Sequence, residues 1–140
     1  LKVTGAGGKD LHAHWDGDCR AYLGITVPGF PNLFMTSGPN TGVVVNGSAI
    51  FFSECQVEYA LRGIGHMLGQ GHRRMDVRHG PYEAYNAYID EGNTTKAWAV
   101  ASVSSWYKNR AGRAAQTWPF GLAEYWNLTA GFDPQPYDFS

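Results

Sequence analysis

Between Trp106 and Arg113 the chain sets two large aromatics, Trp106 and Tyr107, ahead of three cations, Lys108, Arg110 and Arg113, with Asn109 and Gly112 among them. An indole or phenol ring offers a flat face and Lys or Arg holds phosphate, so the mixture suits a nucleotide. The plainer alternative is an exposed loop whose Trp106 packs on the core. A second stretch, Gly38-Pro39-Asn40-Thr41, precedes a long helical pattern. A turn that lets a ligand reach a helix start brings it to unpaired backbone N–H groups and a partial positive charge, which suits a phosphate or an electron-rich carbonyl. An ordinary connection has the same pattern. Neither GxGxxG nor GxxxxGKS/T spacing is present, so no dinucleotide fingerprint and no P-loop can be claimed.

Other chemistry-bearing residues are more isolated. His12 and His14, at i and i+2, would share one face of a strand as a metal-ligand pair, but no third ligand stands at zinc-site spacing and no metal is expected. His66 and His72 flank the end of the long helical pattern, where they favour a helix C-terminus electrostatically. Glu54 falls on the apolar stripe and reads as a partly exposed carboxylate at its edge, because Glu is rarely buried without a partner. Cys19 and Cys55 lack CxxC spacing, which argues against a metal ribbon or redox motif and leaves a single disulfide open. Arg73, Arg74 and Arg78 around Met75-Asp76-Val77 read as the basic rim of a short edge strand. No catalytic residue is assigned.

The elements that must position these groups follow from periodicity and punctuation. Residues 33–35 form a brief apolar run bounded by turn residues and read as a short buried strand, ended by Gly38-Pro39-Asn40. Residues 49–68 repeat apolar residues at helical spacing, with Ile50, Val57, Leu61, Ile64 and Leu68 on one stripe and Phe51, Cys55 and Tyr59 near it. Ser48 or Asn46 can cap this helix and Gly69 and Gly71 end it. The unit reads as strand, glycine turn, helix. Residues 11–15 and 22–27 read as two further short strands joined by Asp16-Gly17-Asp18. Residues 81–91 form a second helix with Pro81 in its first turn, Gly92-Asn93 closing it, and Tyr82, Tyr85 and Ile89 as its packed face. The proline- and aromatic-rich tail from Gln116 reads as an irregular segment wrapping a larger body.

At 140 residues the chain suits one domain, able to remove about two thirds of its unfolded surface from water. Its net charge of −1 gives no general attraction to nucleic acid or to an anionic membrane. Charged residues make up 16% against the roughly one quarter usual in self-sufficient domains, so part of the surface is expected to be covered by something else. No stretch reaches membrane-spanning length, and the chain reads as soluble and cytoplasmic. It begins without methionine, which is compatible with an excised piece.

Tyr22-Leu23-Gly24-Ile25-Thr26-Val27-Pro28-Gly29-Phe30-Pro31-Asn32-Leu33-Phe34-Met35, followed by Gly38-Pro39-Asn40, resembles the C-terminal part of flavin-dependent Baeyer–Villiger monooxygenases. Ser105-Trp106-Tyr107, Asn109, Gly112, Arg113 and Trp118-Pro119-Phe120 are similar to the branch that includes 4-hydroxyacetophenone monooxygenase. The spacing from the Trp-Tyr pair to Asn109 is shorter than in the cyclohexanone-type branch, and Ala111 stands where that branch has a proline. The resemblance covers nearly the whole chain. It implies an α+β C-terminal fragment of a flavoprotein with two dinucleotide-binding domains, holding few short strands, two main helices and a long irregular aromatic tail. Residues 1–71 would end the FAD-binding domain, and residues 72–140 would supply the C-terminal helix and a cofactor-covering loop and tail.

The activity implied is FAD- and NADPH-dependent insertion of one oxygen atom beside a ketone carbonyl, giving an ester or lactone. Gly38, Pro39, Asn40 and Thr41 are then the flavin contacts, and a helix N-terminus there would stabilise the negative charge a reduced flavin gains. Trp106 and Asn109, with Lys108 and Arg113, are the NADP contacts. Both glycine-rich fingerprints, the FxGxxxHxxxW signature and the arginine that the family places beside the flavin are absent from these 140 residues. The implied partner is therefore a missing N-terminal FAD/NADP-binding portion, and the chain alone is expected to bind neither cofactor. The alternative is a non-catalytic binding or dimerisation module derived from such an enzyme, pairing with a second copy through exposed apolar surface. A small metal protein using His12 and His14 is a third reading.

Overall fold

The computed structural model describes residues 1–42, 47–100, 102 and 104–140. After a short 3-10 turn at Ala6–Gly8 comes helix α1, Leu11–Trp15, where a strand is expected from sequence. Asp10 explains the difference: its carboxylate accepts the Ala13 N–H at 3.0 Å and caps a helical turn. On a helix, residues two apart diverge by about 200° rather than sharing a face. His12 accordingly meets the Leu1 carbonyl at 3.1 Å, while His14 packs on Phe30, 5.4 Å between ring centroids. Among the described residues no cluster of three His, Cys, Asp or Glu side chains could hold a metal.

The second expected early strand is a closed turn. Tyr22 N–H donates to the Thr26 carbonyl at 2.8 Å and Thr26 N–H returns to Tyr22 at 3.1 Å, with Leu23 and Gly24 at positive φ. Leu23, Ile25 and Val27 are buried all the same, so the apolar run marks the core correctly but not the conformation. Residues 33–35 likewise form no strand; Met35 N–H makes one bond, to the Ile25 carbonyl at 2.9 Å.

Helix α2, Ala49–Gly69, is the longest element. Ser48 has cap backbone geometry but its side chain makes no cap bond, and Asn46, the other candidate, lies outside the described residues. The buried face is Phe52, Cys55, Gln56, Tyr59, Gly63 and Met67. The stripe chosen from sequence faces outward instead: Ile50 is 70% exposed, Val57 46%, Leu61 59% and Leu68 61%. Ile64 is half-buried, and Glu54 is exposed. At 100° per residue the two stripes lie about 140° apart, so α2 is apolar on two sides. The aromatic side wins the chain's own core because the tail supplies aromatic partners. Phe52 lies 4.5 Å from Tyr125, and Tyr59 lies 5.3 Å from Phe132, ring centre to ring centre.

Strand β1, Met75–Val77, is the expected short strand. Helix α3, His79–Thr94, buries Tyr85 and Ile89 as its spacing implies, but it runs past the expected stop at Gly92. A Cβ at Gly92 would collide with the Phe120 ring, so this glycine makes room for an aromatic rather than ending a helix. The tail is more ordered than its composition indicates. It contains helix α4, Leu122–Thr129, which packs on α2, and strand β2, Tyr137–Phe139. β2 pairs antiparallel with β1 in the register Met75–Phe139, Asp76–Asp138, Val77–Tyr137. His72 stacks on Phe139 at 5.7 Å, and His66 packs on it at a tilt at 5.3 Å. Cys19 and Cys55 are free thiols, so the disulfide left open by sequence is not made. Among the described residues no helix is long and apolar enough to cross a membrane.

Candidate functional site

The Gly38–Thr41 turn is held from two sides. Gln56, fully buried on α2, accepts the Ser37 N–H at 2.7 Å. Beyond the turn, Asn40 N–H donates to Ala115 at 3.1 Å, Gly42 N–H to Gln116 at 2.7 Å, and Trp118 N–H to Gly42 at 2.9 Å. Both glycines are required by close backbone approach. A Cβ at Gly42 would stand 2.7 Å from the Gln116 carbonyl oxygen, and one at Gly38 would strike the Gly24 carbonyl.

The Trp106 block folds back as a tight hairpin. Lys108 bridges to Ala114, and Ala115 N–H donates to Tyr107 at 3.1 Å. Asn109 shapes the turn: its carbonyl accepts Gly112 N–H at 3.0 Å and its Oδ1 accepts Arg113 N–H at 3.0 Å. The hairpin, the Gly38–Thr41 turn and the loop after α1 enclose an open cleft of about 630 Å³. Its walls include Gly38, Pro39, Thr41, Lys108 and Asn109, with Trp15 and Met35 as apolar surface and Ala49, the first residue of α2, at one end.

An ion cluster lines a second open cavity, of about 420 Å³. The Arg113 guanidinium donates to Asp18, to the Cys19 carbonyl, to Asn40 Oδ1 at 2.9 Å and to Asp90 Oδ1 at 3.3 Å. Arg20 bridges the same two carboxylates, at 2.8 Å to Asp18 and 2.7 Å to Asp90. Asn109 Nδ2 reaches Asp18 Oδ1 at 2.6 Å. Burial by itself would raise the Asp18 carboxyl, but the hydrogen bonds from Arg113 and then Arg20 outweigh it and hold it below its ordinary range. Burial would lower Arg20, and its bonds to Asp18 and Asp90 reverse that. The half-buried Cys19 thiol, on the cleft wall, is pushed up chiefly by burial.

Five of the eight residues singled out from sequence thus share one cleft: Gly38, Pro39, Thr41, Lys108 and Asn109. The other three do not line it. Asn40 is 2% exposed and its amide is spent on the Ala114 and Thr117 carbonyls, at 2.7 and 3.1 Å. Arg113 is engaged in the cluster, so its guanidinium supports the walls from behind. Trp106 is 72% exposed, its ring against Tyr107 at 4.1 Å, and it projects from the hairpin. Lys108 Nζ donates to the Val100 carbonyl at 2.6 Å. Nor is the turn a helix start: α2 begins at Ala49, seven residues beyond Gly42. Sequence reasoning missed Trp15, Met35 and Gln116 as wall residues, and only the apolar run at 33–35 gave any signal for one of them.

No family model matches the chain. An uncharacterised monooxygenase of Sinorhizobium fredii, y4iD, is 36% identical over 138 residues, 98% of this chain and 21% of its own length. A Baeyer–Villiger monooxygenase of Pseudomonas aeruginosa is 35% identical over 136 residues, 96% of this chain and 26% of its own. Among solved structures, a cyclohexanone monooxygenase mutant from Rhodococcus sp. Phi1 bound to NADP+ superposes with a TM-score of 0.83 at 22% identity, covering 100% of this chain and 26% of that one. The fold is that of the C-terminal part of large flavin monooxygenases. Another such structure, the OTEMO complex with FAD and NADP, has a TM-score of 0.77 at 19% identity over 100% of this chain and 26% of its own. At these identities the structural likeness to flavin monooxygenases shows the fold alone. The chain spans about a quarter of the length of the curated relatives it matches.

Proposed function

We propose that the chain is the C-terminal part of an FAD- and NADPH-dependent monooxygenase of the 4-hydroxyacetophenone monooxygenase-like branch, which oxidises ketones to esters or lactones. The observation that carries this reading is the joining of the two resembling blocks. Gly38, Pro39 and Thr41 of the first block and Lys108 and Asn109 of the second, far apart in sequence, line one cleft. Its volume lies within the roughly 300–1,000 Å³ usual for small-molecule sites. The residues present fit the ring end of a cofactor better than its phosphates: the walls include Trp15 and Met35 as apolar surface, while the Asn109 amide is held by Asp18 and the Arg113 N–H, Arg113 is committed to carboxylates, and the sequence has no phosphate-loop spacing.

When bound, NADPH would supply two electrons through the flavin, so that one atom of O₂ enters the ketone and the other leaves as water. This chain's residues bind and orient. Gly38, Pro39 and Thr41 would hold the flavin, and Asn109 and Lys108 would hold NADP. Trp106, exposed on the same hairpin, would offer the nicotinamide dinucleotide a flat aromatic face. The remaining dinucleotide-binding surface comes from a portion outside these 140 residues, and the chain by itself is inactive.

The test uses the complete protein from its source gene. Co-purified FAD and ketone-dependent NADPH oxidation with equimolar ester formation support the reading; a colourless complete protein that oxidises no ketone overturns it.

A further inference from the structure

The outward stripe of α2 plays no part in the cleft. Ile50, Val57, Leu61 and Leu68, with half-buried Ile64, run along one side for about 27 Å at 1.5 Å per residue. A helix that is apolar on two faces gains stability when both are covered, and here the chain covers one. The stripe starts beside the cleft, because Ala49, which lines the cleft wall, precedes Ile50 in the first turn. Whatever seats on the stripe therefore also flanks the cleft.

We propose that this face is the seam on which the remainder of the same polypeptide docks, so that α2 is sandwiched between the aromatic core described above and an apolar surface of the dinucleotide-binding portion. The inference rests on the proposed function and adds to it a named interface. Two observations select this occupant. The relatives that match this chain over 96–98% of its length are four to five times longer, so a large body accompanies this fold in them. A second copy is the weaker occupant: one helix stripe pairing with itself would bury only a few hundred Å² per copy, against about 800 Å² per partner in a stable interface. The stripe carries one exposed carboxylate, Glu54, while Glu58 and Arg62 on the adjoining side are paired to each other at 2.8 Å, so the surface that fits it is apolar with a cation opposite Glu54.

The experiment places the photo-crosslinking residue p-benzoylphenylalanine at position 57, 61 or 68 of the complete protein, each in a separate variant. A control carries it at Glu91, on the exposed side of α3. Adducts are mapped by mass spectrometry, and flavin content is read from the absorption spectrum of the same samples. Intramolecular adducts from 57, 61 and 68 to residues preceding this chain, with none from 91, are expected. Adducts between two copies, or no more intramolecular adduct from positions 57, 61 and 68 than from position 91, overturn the inference. In either case retained flavin and ketone oxidation leave the proposed function standing, whereas their loss in the unmodified protein removes that function independently.

Discussion

Replacing Arg113 by alanine tests whether this residue braces the cleft or faces its ligand. The guanidinium has four acceptors: Asp18, Asp90, Asn40 Oδ1 and the Cys19 carbonyl. Asn40 is 2% exposed, so losing the donor to its Oδ1 leaves a buried acceptor bare, at about 1–3 kcal/mol. The Asp18 and Asp90 side chains are each 34% exposed and keep Arg20, so solvent holds those two losses to about 0–1 kcal/mol each. The sum centres near 3 kcal/mol, on the order of a hundredfold in a local opening equilibrium. Hydrogen exchange in the complete protein reads it directly at the Gly42 and Trp118 amides, which tie the turn to residues 116–118. Protection there should fall on the order of a hundredfold in Arg113→Ala. Arg113→Lys should recover only a minor part, because one ammonium cannot replace a planar fork spread over four acceptors. Unchanged exchange together with weakened NADP binding would show that the guanidinium serves the cofactor, and would refute the bracing role.

Three further outcomes check other parts of the structure. In the 140-residue chain by itself, Phe52→Ala should lower the urea unfolding midpoint by the equivalent of about 3–5 kcal/mol, and Leu61→Ala by about 0.5 or less; equal costs would reverse the assignment of the α2 faces. The depressed Asp18 carboxyl contributes stability that is present above its unfolded value of 3.8 and lost as pH falls through the lower folded value. An acid titration of stability should therefore flatten in Asp18→Asn, and an unaltered acid limb would contradict the cluster. Tyr88, raised by burial and by its hydrogen bond to Glu124, should ionise near pH 12 when followed at 295 nm. Stability linked to it is full below pH 10 and lost as pH rises through 12. Glu124→Gln should bring the transition down toward 10, and a Tyr88 that already titrates at 10 in the parent protein would refute the contact.

How far the sequence could be read depends on the range of the interactions that set each feature. Helix α3, strand β1 and the extent of α2 are written locally, in spacing of three and four residues and in Pro81, Gly69 and Gly71, and all three are present. Helix α4 is equally local but short, and Pro119, Gly121, Gly131 and Pro134 mask its eight residues. The early strands failed for a different reason: burial of Leu23, Ile25 and Val27 requires only that they be apolar, and the Asp10 cap and the positive φ of Leu23 and Gly24 decide the conformation. The cleft shows the limit most clearly. Residue types in 38–41 and 106–113 identified its walls, yet which polar groups face inward is fixed by partners 73 to 95 residues distant, Asn40 and Asp18 with Arg113. No spacing rule reaches that far. The same holds for α2, where two apolar stripes compete for one core and the winner is set by Tyr125 and Phe132 of a tail folding back over it. A stripe that loses such a competition yet keeps Ile50, Val57, Leu61 and Leu68 exposed, with Glu54 its one charge, is the surface that the proposed covering by another body would bury.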